Sequence, residues 1–219
     1  MKRELSITED GSHTIYLPEL NEHYHSIHGA VQESSLVFIK YGLDICKEDP
    51  VKIFEVGFGT GLNALLSCIY SMQNGRKAYY TSIEKYPLDE SLIMALNHYE
   101  FAGENGKEIF SRIHNARWGR KEVINNHFCL EKIEFDLTKE IPEGTFHVIF
   151  FDAFGPEKQP EMWTPEIFEK IASITLPGGI LVTYSSKGDV KRALKSKGFM
   201  VQLLPGPPGK RQMIRAVKM

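Results

Sequence analysis

The chain has 219 residues, 42% hydrophobic and 25% charged, with a net charge of −2. That length and balance suit one large α/β domain with its own core, and no apolar run of the ~18 residues a membrane helix needs is present. The N-terminus, Met1-Lys-Arg-Glu-Leu-Ser-Ile7, has no long apolar core of a secretory signal. Cys46, Cys68 and Cys129 are odd in number, far apart and outside CxxC spacing. A disulfide or zinc framework is therefore not expected, and the cytoplasm is the expected compartment. The net charge hides an asymmetry. From Ser185 onward nine basic residues face one acid, Asp189, leaving +8 on this segment and −10 on the remainder. A basic end on an acidic body suits a polyanionic partner, although a solvated Lys-rich helix face explains the charge alone slightly better.

In chain order, Glu4–Thr8 and His13–Leu17 flank Asp10-Gly11, which predicts a β-hairpin outside the main sheet. Residues 22–34 hold His23, His25 and His28 at no recognised ligand spacing, so no metal site is expected. This polar segment reads as a cover over a site, giving an N-terminal unit of residues 1–34 before a main domain of residues 35–219. Ser35–Tyr41 reads as a short helix. Val51–Val56 is the first core strand, and Leu62, Leu65, Leu66 and Ile69 mark the inner face of the helix after it. Ala78–Glu84 is the second strand, followed by a helix opening at Pro87 and facing inward through Leu88, Leu92, Leu96 and Tyr99. Residues 100–130 read as helical. Lys132–Phe135 is the third strand and ends at Asp136. Phe146–Phe151 is a continuous apolar run, the mark of a central parallel strand, and ends at Asp152. Thr164-Pro165 caps a helix. Pro177-Gly-Gly179 turns into the strand Ile180–Tyr184, and Asp189 starts a basic helix that Gly198 stops. Phe199–Leu204 and Gln212–Val217, joined by Pro205-Gly-Pro-Pro-Gly209, pair antiparallel. Alternating strands and helices predict a doubly wound α/β fold, closed by this antiparallel hairpin.

Between the first strand and its helix stands Gly57-Phe-Gly-Thr-Gly61-Leu-Asn63. Glycines there let the backbone approach a ligand, and the helix N-terminus offers unpaired N–H groups. A dinucleotide fingerprint places its third glycine one residue later, where Leu62 stands. The tighter G-x-G-x-G, preceded by Glu55, resembles motif I of class I S-adenosylmethionine (AdoMet) methyltransferases, whose seven-stranded, Rossmann-like mixed sheet also ends in an antiparallel hairpin. The resemblance implies AdoMet as cofactor, with Glu55, Gly57, Gly59, Gly61 and Asn63 around it. It further implies that Glu84 holds the ribose hydroxyls and Asp136 the adenine amino group.

Asp152-Ala-Phe-Gly-Pro156 replaces the Asp/Asn-Pro-Pro-aromatic motif of enzymes that methylate exocyclic ring amines. One carboxylate beside aromatics suits an aliphatic amine of pKa about 10, which must lose a proton before it attacks a methyl group. Phe154, Trp163 and Tyr184 are candidate walls for that amine, although core packing explains each aromatic alone. Several stretches together resemble the methyltransferase half of the MnmC enzymes: His25-Ser-Ile-His-Gly-Ala-Val-Gln-Glu-Ser34, Glu55–Asn63, Glu84-Lys-Tyr-Pro-Leu88, Asp152–Pro156 with Pro160-Glu-Met-Trp163, Thr183-Tyr-Ser-Ser-Lys-Gly188 and Lys210-Arg-Gln-Met213. That family finishes 5-methylaminomethyl-2-thiouridine at the tRNA wobble position. The resemblance implies AdoMet-dependent methylation of the 5-aminomethyl group with Asp152 near the nucleophile. It also implies Gln32 and Pro156 in the substrate pocket, and Lys187, Lys191, Arg192, Lys210 and Arg211 facing tRNA phosphates. Bifunctional members carry a second, flavin-dependent oxidase domain. This sequence shows no second glycine fingerprint, so a stand-alone methyltransferase without FAD, metal or obligatory protein partner is expected. Two other readings stay open: an aminopropyltransferase resembling spermidine synthase, and a non-catalytic RNA-binding module on the same fold.

Overall fold

The structure, a computed structural model, describes residues 2–219. The N-terminal extension forms a three-stranded antiparallel sheet, β1 (Glu4–Ile7), β2 (His13–Leu17) and β3 (Glu22–His23). The expected hairpin therefore forms around Asp10-Gly11, with Glu4 opposite Tyr16 and Ile7 opposite His13. Its turn also starts the next helix. In α1 (Ala30–Ser34) no local side chain caps the N-terminus. The first-turn N–H groups instead reach back across the hairpin. Ala30 N donates to Thr8 Oγ1 at 3.4 Å, Val31 N to Ser12 Oγ at 3.3 Å, and Gln32 N to the Asp10 carboxylate at 3.0 Å. Gly29 precedes the helix with φ +147°, and a Cβ there would lie 2.6 Å from that carboxylate. Glycine is thus required for the approach. The helix continues without a break as wider π-type turns over Ser35–Leu43, so the short helix expected at Ser35–Tyr41 begins earlier and ends later. Its inward stripe is Ala30, Glu33, Ser34, Val37 and Phe38.

The main sheet has eight strands in the order β10-β11-β9-β8-β4-β5-β7-β6. β4 (Val51–Val56), β5 (Ala78–Glu84), β7 (Phe128–Glu134), β8 (Phe146–Phe151) and β9 (Thr175–Thr183) run parallel. β10 (Phe199–Pro205) and β11 (Gln212–Lys218) form the antiparallel hairpin at one edge, paired through β11 to β9. The eighth strand, β6 (Lys121–Asn125), comes from the stretch that reads as helical. Only Gly106–Asn115 (α4) is an α-helix there, and β6 adds an antiparallel edge to β7. β7 itself starts at Phe128, four residues before the sequence pattern suggests.

The helices pack on both faces. They are α2 (Leu62–Gln73), α3 (Glu90–Ala95), α4, α5 (Pro165–Ile174) and α6 (Gly188–Ser196). One core holds Phe38, Ile53, Leu65, Tyr80, Phe128 and Phe150; the other holds Phe54, Phe151, Trp163, Phe168, Leu181 and Leu194. The continuous apolar run of β8 is explained by this double burial: Val148, Ile149, Phe150 and Phe151 are all fully enclosed. Thr164 caps α5 through the Ile167 N–H as expected. Three local expectations change. Pro87 lies outside α3, which begins at Glu90 after Asp89. Pro177-Gly-Gly179 is an irregularity inside β9 rather than a turn before it. Asp189 sits in the first turn of α6 and pairs with Arg192 instead of capping.

Asp10 accepts from Thr8 Oγ1 (2.7 Å), the Ser12 N–H (3.0 Å) and the Gln32 N–H (3.0 Å), so it holds both the hairpin turn and the helix start. Asp10→Ala is expected to lower stability by about 2 kcal/mol. For a domain of this size that is several degrees in Tm, read by thermal denaturation.

Candidate functional site

Strand order reverses at β4, whose neighbours are β5 on one side and β8 on the other. Open α/β sheets bind ligands outside the carboxyl ends of strands at such a point. Across these ends the fold sets Tyr184 after β9, Asp152 after β8, Gly57 after β4, Glu84 at the end of β5 and Asp136 just beyond β7. Neighbouring strands lie about 4.8 Å apart, so the row extends about 19 Å. All five residues line one cavity of about 650 Å³, a size suited to a small-molecule ligand.

The glycine turn forms its floor. Gly57 has φ +92°, and a Cβ there would meet the Asp152 carbonyl oxygen at 2.8 Å. Gly59 has φ +50°, and its Cβ would press on the Tyr24 ring at 3.2 Å. Gly61 (φ +71°) lies behind the cavity wall, against His114 and Phe58, where it starts α2. The Gly59 N–H donates to Glu84 Oε2 at 3.1 Å, and the Tyr86 N–H donates to Glu84 Oε1 at 2.9 Å. Asp136 accepts from Thr138 Oγ1 at 2.6 Å and faces Lys85 at 3.1 Å. The Thr138 hydroxyl first, and the Lys85 ammonium with it, hold its carboxyl down at about 2, so it stays ionised.

Glu55 does not line the cavity. It is fully buried beneath it and accepts from Ser82 Oγ at 2.6 Å. Burial, with the Asp152 charge nearby, pushes its pKa up to about 8, so it is neutral at pH 7. Asn63 stands between the two acids and donates its Nδ2 to Asp152 Oδ2 at 2.8 Å. Asp152 opens on the cavity but is enclosed on its other sides. That enclosure, and then the negative charge of Glu33, pushes its pKa up to about 7; the Asn63 hydrogen bond and the Lys210 charge oppose the rise.

The aromatic residues divide. Phe154 lines the cavity and meets Tyr24 edge to face, with centroids 5.1 Å apart. Tyr184 lines it too, with its hydroxyl donated to the Ala153 carbonyl at 2.7 Å. Trp163 does not: it is core, packed on Phe151, Phe168 and Tyr184. Its Nε1 donates to the Phe154 carbonyl at 2.7 Å, so it braces the loop that carries Phe154. Pro156 also lies outside the lining. Gln32 is exposed, with its side chain outside the cavity, and the adjacent Glu33 faces in.

Glu33 is the main site residue that the sequence pattern leaves unassigned. Its signal is the helical stripe through Ala30, Glu33, Ser34, Val37 and Phe38, which puts position 33 inward and 32 outward. Lys210, expected on the phosphate-facing surface, turns into the cavity and pairs with Glu33. Of the other basic candidates, Lys187 pairs with Glu157 and Arg192 with Asp189 at the surface, while Lys191 and Arg211 pair with no acid among the described residues. Such exposed pairs are weak, about 0–1 kcal/mol, and give way to a stronger anion.

The extension roofs the site. Arg3 donates to the carbonyls of Tyr86 and Pro87, at 2.7 and 3.1 Å. Lys158, on the loop after β8, donates to those of Leu20 and Asn21, at 2.9 and 3.1 Å. His25 bridges Thr14 and Thr60, at 3.1 and 3.3 Å. The three histidines diverge: His23 stacks on Tyr16, and His28 pairs with Glu9. Among the described residues no three metal-binding side chains converge, and no helix is long and apolar enough to cross a membrane.

A family model of S-adenosyl-L-methionine-dependent methyltransferases matches residues 107–219. The chain is 31% identical over 216 residues to the tRNA 5-methylaminomethyl-2-thiouridine biosynthesis bifunctional protein MnmC of Nitrosospira multiformis, covering 92% of this chain and 35% of that protein. The protein of the same name from Pseudoalteromonas atlantica is 30% identical over 181 residues, covering 75% of this chain and 26% of its own length. The chain thus spans about a quarter to a third of these relatives. The crystal structure of MNMC2 from Aquifex aeolicus superposes with a TM-score of 0.79 at 27% identity, covering 98% of this chain and 69% of that one.

Replacing Glu55 by Gln tests the neutral acid beneath the floor. Because the folded-state pKa is raised, wild-type stability falls as pH rises from about 4.5 to about 8, while the Gln variant lacks this loss. The Tm gap in favour of Glu55→Gln is expected to open across that window and then level. The corresponding stability difference reaches on the order of a few kcal/mol, since each tenfold change in proton affinity is worth about 1.4 kcal/mol. A gap independent of pH overturns the assignment.

Proposed function

The chain belongs to the S-adenosyl-L-methionine-dependent methyltransferase family, and from that premise we propose that it methylates the 5-aminomethyl nitrogen of a wobble (2-thio)uridine in tRNA, giving 5-methylaminomethyl-2-thiouridine. The observation that carries this reading is Asp152. Its carboxylate stands at the end of β8, beside the glycine turn, with Phe154 and Tyr184 on the same cavity. The names of the relatives support the choice of acceptor.

The cavity suits AdoMet. Glycines stand where a Cβ would fill the floor, the Glu84 carboxylate suits ribose hydroxyls, and the ionised Asp136 suits the adenine amino group. Gly57, Gly59, Glu84 and Asp136 are the residues assigned to hold it, with Asn63 and the start of α2 below and Gly61 shaping the turn. When bound there, AdoMet would supply an electrophilic methyl carbon for the amine's lone pair, with a neutral thioether as the leaving group. Asp152 first attracts the ammonium form of the acceptor and then takes its proton, which frees the lone pair. A carboxylate of pKa about 7 is a far better base at neutral pH than an ordinary aspartate. Phe154 and Tyr184 keep water from the amine, which weakens its hold on the proton. Asn63 orients the Asp152 carboxylate through its 2.8 Å bond. Residues 2–34, the described part of the N-terminal unit of residues 1–34, act as a roof that excludes solvent from the domain of residues 35–219. Lys187, Lys191, Arg192 and Arg211 meet tRNA phosphates.

Wobble nucleosides from cells lacking the gene are expected to accumulate 5-aminomethyl-2-thiouridine by mass spectrometry; an unchanged nucleoside profile sinks the reading. Turnover with decarboxylated AdoMet alone would instead make the chain an aminopropyltransferase. Asp152→Ala is expected to abolish methyl transfer with tRNA affinity kept, and full activity in vivo would leave only an RNA-binding role.

Methyl transfer also follows the Asp152 proton. The base form is lost as pH falls through about 7, so kcat/KM at fixed AdoMet is expected to drop on the acid side, tenfold per pH unit at the limit. The bound sulfonium charge shifts that limb to lower pH. Residual activity of Asp152→Asn should lack the Asp152 limb, and its retention in the variant would assign it to another group.

Reversing the charge of Lys191, Arg192 and Arg211 should weaken tRNA binding and flatten its dependence on salt, since fewer counterions are released. An unchanged slope moves the tRNA to another face.

A further inference from the structure

Glu33 and Lys210 come from distant parts of the chain and meet inside the cavity. Glu33 is 5% exposed, and its Oε2 accepts the Ser26 N–H at 2.8 Å. Its Oε1 pairs with the Lys210 ammonium. That ammonium also stands 3.9 Å from the centre of the Tyr184 ring. The ring is fixed by the hydrogen bond from its hydroxyl to Ala153. A buried carboxylate on one side and an aromatic face on the other form a cage for an alkylammonium ion. Lys210 fills that cage with a cation of the chemistry the proposed acceptor brings.

The geometry points to Lys210 as an internal stand-in for the acceptor's ammonium, with Glu33 as the second carboxylate of the amine subsite: the substrate amine displaces Lys210 and takes its place between Glu33, Asp152 and Tyr184. This inference rests on the acceptor being an aliphatic amine, as proposed above.

Charge balance supports the exchange. Asp152 and Glu33 both face the cavity, and their charges oppose one another, while Lys210 relieves both. The other cations on the lining are committed elsewhere: Arg3 to the carbonyls after β5, Lys85 to Asp136, and Lys158 to the carbonyls after β2. If Lys210 leaves, two carboxylates remain in a partly enclosed space, and their repulsion is relieved either by an entering cation or by a proton on Asp152. Lys210 is able to leave. It follows Pro205-Gly-Pro-Pro-Gly209, the connection at the tip of the β10–β11 hairpin, and its side chain is 31% exposed. A nucleoside offers stacking as well as the ammonium, so it competes with the tethered lysine where a simple free amine does not. The exchange thereby acts as a selectivity filter against small amines.

The test measures binding, with no turnover required. Two anticodon stem-loops are titrated by calorimetry in the presence of S-adenosylhomocysteine, one carrying 5-aminomethyluridine and one 5-hydroxymethyluridine at the wobble position. Lys210→Met keeps length and apolar body but removes the competing cation. It is expected to bind the amine stem-loop about tenfold more tightly relative to the hydroxymethyl one. Glu33→Gln is expected to lose about tenfold on the amine stem-loop and little on the other. In Glu33→Gln/Lys210→Met the gain from Lys210→Met should vanish. Equal changes for both stem-loops, a weaker amine preference in Lys210→Met, or no detectable amine binding by that variant overturns the inference. A wild type that methylates the amine but lacks this pattern refutes the exchange alone. The full pattern without any methyl transfer refutes the proposed function and keeps the amine subsite.

Discussion

The site depends on a close approach between two turns at the carboxyl edge of the sheet. The turn after β4 passes Asp152 so tightly that a single methyl group on Gly57 would stand 2.8 Å from the Asp152 carbonyl oxygen. The Asp152 N–H donates to Val56 at 3.1 Å, and the Gly57 N–H donates to Ile83 at 3.0 Å, so the ends of β4, β5 and β8 are tied together. This contact brings a glycine cradle and an acid into one cavity. Without it, either turn would be an ordinary loop of a doubly wound sheet.

Around that contact the chain builds an environment in which carboxylates behave differently. Asp136, bonded to Thr138 and facing Lys85, stays ionised. Glu55, buried under the floor with only a serine hydroxyl as a firm partner, stays neutral at pH 7. Asp152 lies between these extremes, able to gain and lose a proton near neutrality. Burial and neighbouring charge set the order, since all three side chains are the same functional group. An acid poised in this way suits an acceptor that arrives protonated and must react deprotonated.

Closure comes from the two ends of the chain. The N-terminal hairpin starts α1 with its own turn residues and so aims Glu33 inward. The C-terminal hairpin brings Lys210 to meet it. Gly209 at that tip has φ +79°, and a Cβ there would clash with the His28 ring at 2.1 Å, so the two ends touch directly. The roof is therefore built from residues 177 positions apart in the sequence, joined over a site made by the middle.

Much of this is legible in the linear chain. The apolar run of Phe146–Phe151, the glycine spacing at 57, 59 and 61, and the acids closing successive strands are local patterns. Local patterns survive in a linear reading because strand burial, turn geometry and helix starts are set by neighbouring residues. Such patterns identified the fold and the antiparallel end, and they placed the glycine turn and Asp152 at the ends of neighbouring strands. Tertiary structure decided what depends on long-range company. It added β6, whose partner β7 alone makes it a strand, and it exchanged Gln32 for Glu33 by fixing the phase of a helix capped from another hairpin. Trp163 became a brace rather than a wall, because packing rather than residue type settles which aromatic faces a cavity. Lys210 turned inward for the same reason: a lysine's charge is written in the sequence, but the carboxylate it answers stands 177 positions away.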